Sequence, residues 1–149
     1  MTDIQDNVEI EVRANAVLPP AASTTAAEAA ATNRTELVSL IGARQIDCFI
    51  NFSVVDAAST EFYIRFRFSG KAAPSIATPS DWAYIKVDNI DTATGISEVQ
   101  DYEIKFTPTL GQSVLRITQT SGIWVSAVLF VNQGATTECS VSFMRQGGT

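Results

Sequence analysis

Apolar and polar residues alternate with a period of two from Gln45 to the C-terminus, and this pattern constrains the fold more than any other feature. Two stretches show it best: QIDCFINFSV (residues 45–54) and EFYIRFRFSG (residues 61–70). Successive side chains of a β-strand point to opposite faces of the sheet, so strict alternation predicts strands with one buried face. The polar residues from Asp56 to Thr60 between the two stretches predict a hairpin.

Short strand-like segments continue along the chain and are separated by turn residues. They are DWAYIKVDNI, VQDYEIKFTP, SVLRITQT, GIWVSAVLFV and ECSVSFMR. GIWVSAVLFV is almost continuously apolar, as expected of a central strand that is covered on both faces. About seven or eight short strands at regular spacing predict a mainly β fold, an antiparallel β-sandwich or jelly roll, over residues 45–149.

Residues 1–44 have a different composition, and we expect them to form an N-terminal arm, a linker and one short helix. Val8, Ile10 and Val12 alternate with charged residues, which predicts a strand. Pro19 and Pro20 then stop that strand. Because a long irregular stretch separates it from the other strands, we expect this strand to add to the sheet of another subunit.

The second half of this region predicts a short amphipathic helix. Leu37, Val38, Leu40 and Ile41 fall on one helical face, and Gly42 follows where a C-terminal cap belongs. At the front of the linker, Ser23, Thr24 and Thr25 offer N-caps and Ala26 to Ala31 are strong helix formers, but Asn33, Arg34 and Thr35 interrupt the alanines, so this part is either helical or extended.

The composition argues against an enzyme and assigns no catalytic residues. Histidine is absent, which removes the commonest general base and metal ligand. No phosphate-binding glycine loop is present. Two cysteines without histidine cannot make the usual zinc site, and Asp88, Asp91 and Glu98 lack the spacing of a calcium loop. We therefore expect no cofactor and no metal.

Charge and hydropathy limit the partners. The net charge is −6 and Lys and Arg form no run, so nucleic-acid binding is not expected. The longest apolar run, residues 123–131, is too short to cross a membrane. No signal peptide is recognisable, so we expect synthesis in the cytoplasm. Charged residues make up 17 % of the chain, below the ~25 % typical of soluble domains, which favours a surface that partners partly cover.

Several side chains have more than one interpretation. Cys48 and Cys139 lie at inward positions and are expected to be small buried hydrophobes, with a disulfide or a reactive thiol as the alternative. Arg65 and Arg67 belong to an outward, solvated face or contact a carboxylate of a partner. Trp82 and Tyr84 are expected in the core or a subunit contact, with a carbohydrate-stacking platform as the alternative.

The chain as a whole resembles virion proteins of tailed bacteriophages. An extended arm, an Ala/Ser/Thr linker such as AASTTAAEAAATNRTELVSL and a Thr/Ser-rich sandwich are similar to capsid decoration (cement) proteins and to short head or tail fibres. Decoration proteins commonly form homotrimers between subunits of the major capsid protein. The resemblance implies a non-enzymatic protein on the capsid exterior, made in the host cytoplasm.

The sequence pattern and the resemblance together predict the partners and the residues that contact them. The major capsid protein and further copies of the chain would be the partners, and the alternative is a fibre module that binds a receptor carbohydrate through Trp82 and Tyr84. The residues expected to contact partners are Val8, Ile10, Val12, Leu37, Ile41, Arg65 and Arg67.

Overall fold

A computed structural model describes residues 8–90, 93–94, 97–118, 120 and 122–147. The elements in chain order are β1 (Glu9–Val17), α1 (Thr24–Glu28), β2 (Val38–Ser39), β3 (Ala43–Val54), β4 (Phe62–Ser69), β5 (Ala83–Tyr84), β6 (Lys86–Ile90), β7 (Ser97–Asp101), β8 (Ile104–Phe106), β9 (Gly111–Ile117), β10 (Trp124–Val131) and β11 (Glu138–Gly147). Two 3₁₀ turns cover Ala31–Asn33 and Pro79–Asp81.

The strands form two antiparallel sheets that pack face to face, so the predicted antiparallel β-sandwich is confirmed. The first sheet has the order β1-β11-β3-β9. In the second sheet the order is β2-β10-β4, and the far edge of β4 pairs with β5 at one end and with β8 at the other. Strands β6 and β7 pair with each other as a separate ribbon.

The predicted hairpin of β3 with β4 is wrong, because the two strands belong to different sheets. β3 pairs with β11 and β9, whereas β4 pairs with β10. The turn between them carries the chain from one sheet to the other. Each strand has one strongly apolar face, and in a sandwich these faces meet: the rings of Phe52 and Phe62 are perpendicular, with centroids 5.2 Å apart.

The core follows the period-two pattern of the sequence. Its main side chains are buried at the inward positions of β3 and β4: Ile46, Cys48, Ile50, Phe52, Phe62, Ile64, Phe66 and Phe68. Val54, at the end of β3, is 38 % exposed. The predicted covering of β10 on both faces is confirmed, since its residues 125–131 are all buried.

The N-terminal strand is not a separate arm, as the sequence predicted, because it belongs to the sandwich of its own chain and does not need the sheet of another subunit as its partner. β1 pairs with β11 of the same chain, with Ile10 opposite Phe143, and so forms an edge of the first sheet. Val12 is only 3 % exposed and belongs to the core. The long intervening stretch permits this pairing because a loop of any length closes at a modest, slowly growing entropic cost.

The helix lies at the front of the linker, after one of the predicted N-caps, and the predicted helical stripe at residues 37–41 is wrong. The helix covers Thr24–Glu28, and the hydroxyl of Ser23 caps it by accepting a hydrogen bond from the backbone N–H of Ala26 (3.1 Å). Val38 instead lies in β2, opposite Val125 of β10. Gly42, with φ of 79°, is in the turn before β3 and does not end a helix. Pairing with β10 outweighs the weak helical periodicity of so short a segment.

Residues 18–37, here called the strap, connect β1 of the first sheet to β2 of the second. The strap crosses the outer face of β10, where Thr35 N donates to Ala127 O (2.9 Å). The buried Asn33 amide donates to the carbonyls of Pro19 (2.9 Å) and Leu129 (3.0 Å). α1 packs Ala27 against Val128 and Phe130 of β10. The strap therefore buries the outer face of β10. The small side chain of Ala27 lets the backbone of the strap approach the sheet closely.

Candidate partner-binding surfaces

The outer face of the second sheet holds four of the predicted site residues in two stacked pairs. The guanidinium carbon of Arg65 lies 4.2 Å from the centre of the Tyr84 ring, and that of Arg67 lies 4.8 Å from the centre of the Trp82 ring. Arg65 is 9 % exposed and Arg67 is fully buried, so the expectation of a solvated face is wrong. The arginines are held by aromatic rings of their own chain.

Hydrogen bonds fix the same cluster. Arg67 Nη2 donates to Ile76 O (2.7 Å), Trp82 Nε1 donates to Ser75 O (2.8 Å) and the Tyr84 hydroxyl donates to Glu28 Oε2 (2.6 Å). Burial lowers the pKa of the Arg67 guanidinium, and burial together with the Glu28 carboxylate raises the pKa of Tyr84. These hydrogen bonds hold the β5 segment and the strap against the second sheet.

The carbohydrate platform proposed for Trp82 and Tyr84 is not present in this geometry. Trp82 is 8 % exposed, and Arg67 stacks on its ring. A sugar needs an open aromatic face, which Trp82 does not offer. The role of Glu28 was missed because a glutamate on a short alanine-rich helix carries no sequence signal for its partner.

The remaining predicted contact residues are dispersed. Val8, just before β1, is 44 % exposed and Ile10 on β1 is 37 % exposed, while Val12 is in the core. Leu37 is half-buried near β2, and Ile41 is 57 % exposed in the turn after it. The structure therefore brings the arginines and aromatics together but places the apolar residues of β1 on the other sheet.

The outer face of the first sheet, unlike that of the second, is not covered by the strap. Phe49 of β3 pairs with Val114 of β9 on this face, and Val114 is 53 % exposed. Beside them Arg116 donates two hydrogen bonds to the buried Asp47 carboxylate (3.0 and 3.3 Å). An apolar centre within a polar surround is typical of a contact surface.

The Asp47 carboxylate makes stability depend on pH. Hydrogen bonding by Arg116 holds its pKa below the ordinary value. A carboxyl whose folded pKa is depressed stabilises the fold above the unfolded pKa, near 4, and that stability is lost as pH falls through the folded pKa. We expect Asp47→Asn to be less stable than wild type at pH 7 and the difference to shrink below about pH 4. Urea unfolding at several pH values measures both, and a pH-independent difference would contradict the assignment.

A cleft opens between the sheets beside β9, and we call it the side cleft. It has a volume of about 280 Å³. The residues that line it are Phe66, Phe68, Ile85, Tyr102, Arg116, Ile117 and Thr118. The two phenylalanines and Ile117 are core residues, so the cleft is an opening into the edge of the core. Sequence periodicity identified the two phenylalanines as inward but could not show that the sandwich is open here.

The two cysteines are free and fully buried, which confirms the prediction of small buried hydrophobes. Burial raises the pKa of Cys48, and it raises that of Cys139 to about 11. Because the thiolate is the reactive form, we expect no reaction with a thiol reagent at pH 8 in the folded protein and two equivalents in urea. Absorbance of the released thiolate measures this; rapid labelling of the folded protein would contradict it.

Two further searches found nothing to assign. Among the described residues, no group of three or more Cys, Asp or Glu side chains is arranged to hold a metal ion. In the same part of the chain, no helix is long and apolar enough to cross a membrane.

Comparison with known proteins gives no relative. No protein-family model matches the chain, and no curated protein matches it.

Proposed function

We propose that this protein is a non-enzymatic decoration protein that binds the outer surface of a bacteriophage capsid, acting as a homotrimer that contacts the major capsid protein. Its location would be the virion exterior after synthesis in the host cytoplasm. No cofactor is required, and neither nucleic acid nor a membrane is a partner.

The observation that carries the proposal is the way the chain alternates between the two sheets. β1, β3, β9 and β11 form one sheet, while β2, β4, β8 and β10 belong to the other. Double-sheet jelly rolls have this kind of alternation, and they occur in viral capsid and lectin domains. This support is an analogy of architecture, because one fold hosts many functions.

The surface adds a second, independent support. Apolar side chains are exposed well beyond the core: Val8, Ile10, Val17, Ile41, Val54, Leu110 and Val114 are between 37 % and 70 % exposed. Charged residues make up only 17 % of the chain, below the ~25 % typical of soluble domains. A passive binder that covers a lattice needs such area, whereas catalysis needs converging titratable groups.

The test is binding of the purified protein to capsids assembled from the major capsid protein of the same genome. After sedimentation through a density gradient, we expect the protein to travel with the capsids and to saturate at a fixed ratio. Capsids carrying the protein should also resist heat better than bare capsids, since a ligand that binds only the intact state stabilises it.

Two matched variants test whether the capsid contact lies on the outer face of the first sheet. Val114→Glu places a charge in the apolar centre of the first sheet's outer face and should weaken capsid binding without unfolding the protein. Thr78→Glu, in the exposed loop near β5, should bind like wild type. Absence of wild-type protein from the capsid fractions would refute the proposal, and binding to glycans instead would support the fibre alternative.

A further inference from the structure

β1 and β9 are the two edge strands of the first sheet, and they are complementary in length, in apolar side chains and in charge. Within the described residues, β1 pairs along one side with β11, and β9 pairs along one side with β3. On the other side of β1, the carbonyl of Val12 accepts a hydrogen bond from Glu36 N (2.8 Å). The nine residues of β1 and the seven of β9 are similar in length. The strap thus occupies the outer edge of β1 at Val12, and the stretch before it, from Val8 to Glu11, is the part of this edge that could act as a template for another strand.

The inward side of β9 offers space for apolar side chains. The side cleft lies there, between β9 and the inward phenylalanines of β4, with a volume of about 280 Å³. A dry cavity of ~150 Å³ holds a benzene molecule, so this cleft can hold one or two aliphatic side chains. Its apolar lining favours such side chains over water.

The inward side of β1 presents such side chains. Ile10 lies opposite Phe143 and therefore on the core side of the sheet, yet it is 37 % exposed because β1 is an edge. Val8, two residues earlier, is 44 % exposed. If β1 of one copy continued the sheet of another beyond β9, these two side chains would lie over the side cleft.

The charges on the opposite side of the two strands agree with this arrangement. The row Glu9, Met144, Asp47 and Arg116 crosses the sheet on its outer face. Glu9 and Glu11 on β1 are exposed and acidic, while Arg116 is the charged residue of β9, with a side chain 64 % exposed. Bringing the two edges together would place acidic groups beside a cation, which favours this partner and this register.

We propose that β1 of one copy pairs antiparallel with β9 of the next, with Val8 and Ile10 inserted in its side cleft. The direction follows from the sheet, in which β1 and β9 run antiparallel to each other. Such a contact joins two different surfaces, so it repeats from copy to copy and forms a ring when the rotation between copies closes. Three copies per ring is the number taken from the proposed function; the edge pairing itself does not require capsid binding.

The experiment uses two variants that each break one half of the contact. Ile10→Asp alters the inserting side, and Tyr102→Asp places a charge at the rim of the side cleft, where Tyr102 is 43 % exposed. By light scattering, wild type is expected at three times the 16.0 kDa chain mass, and each variant alone at one chain mass. Mixed in equal amounts, the variants should give a dimer, because one intact half of each remains.

A control and three outcomes complete the test. Thr78→Asp, in an exposed loop outside both edges, should leave the trimer unchanged, and circular dichroism should show all variants folded. A wild-type monomer would overturn the edge pairing, as would folded variants that stay trimeric, or variants that do not associate when mixed. Capsid sedimentation of the same variants is scored separately, so loss of the ring and loss of capsid binding are distinguishable.

Discussion

Replacing Arg13 by methionine is expected to lower the free energy of unfolding by about 3–5 kcal/mol, because buried acceptors that lose a charged donor cost ~1–3 kcal/mol each. Arg13 is 7 % exposed, and its guanidinium donates to the carbonyls of Thr32 (3.0 Å) and Val17 (2.9 Å). It also donates to the carbonyls of Ala16 and Cys139. One side chain thus connects β1, β11 and the strap, and methionine fills the space without any donor.

The burial of this arginine has its own cost, which the hydrogen bonds must exceed. Desolvation lowers the pKa of the Arg13 guanidinium. Arg13→Lys keeps the charge but not the planar set of donors, so an intermediate loss is expected. Urea unfolding followed by tryptophan fluorescence measures the effect, and Arg44→Met, at an exposed position of β3, is the control. Equal stability of Arg13→Met and wild type would show that the strap is held by other contacts.

Removing residues 1–17 is expected to abolish cooperative folding. The deletion takes away β1, and burial of Val12 alone contributes roughly 1.5–3 kcal/mol. It also removes all the hydrogen bonds of Arg13 and leaves the edge of β11 unpaired. Together these losses are comparable to the ~5–15 kcal/mol that stabilises a typical domain. Thermal unfolding followed by circular dichroism should show no sharp transition.

Removing only residues 1–7 provides the matched control, since this deletion leaves β1 intact. We expect that chain to unfold cooperatively near the wild-type temperature. If the chain without residues 1–17 also folds with near-normal stability, β1 is dispensable for the sandwich. The N-terminal segment would then be an independent docking arm, as its sequence first indicated.

The sequence predicted the core far better than it predicted strand partners. Apart from Val54, alternation in residues 45–54 and 61–70 identifies inward side chains correctly, because burial on one face is a local property of a strand. Pairing is not local. The polar turn before β4 is equally compatible with a hairpin and with a crossing between sheets, and only the facing apolar surfaces decide between them.

The functional surfaces were harder to predict for a related reason. Arg65 and Arg67 occupy outward positions, which normally means contact with solvent. They are buried because Tyr84 and Trp82, in the segment that follows β4, stack on them, and Glu28 of the strap accepts a hydrogen bond from Tyr84. The side cleft could not be predicted either. It lies between β9 of the first sheet and β4 of the second, so it depends on how the two sheets pack and not on the sequence of one strand.

The pairing of β1 with β11 has a consequence for biosynthesis. Arg13 and Cys139, which meet across these strands, are 126 residues apart in the chain. A ribosome adds ~5–20 residues per second, so β1 waits several seconds before its partner strand exists. During that time its alternating valine and isoleucine side chains are available to any exposed strand edge. Topologies dominated by distant pairings also fold slowly, in milliseconds to seconds. Newly made chains should therefore depend on chaperones, and yield should rise when expression is slowed by cooling.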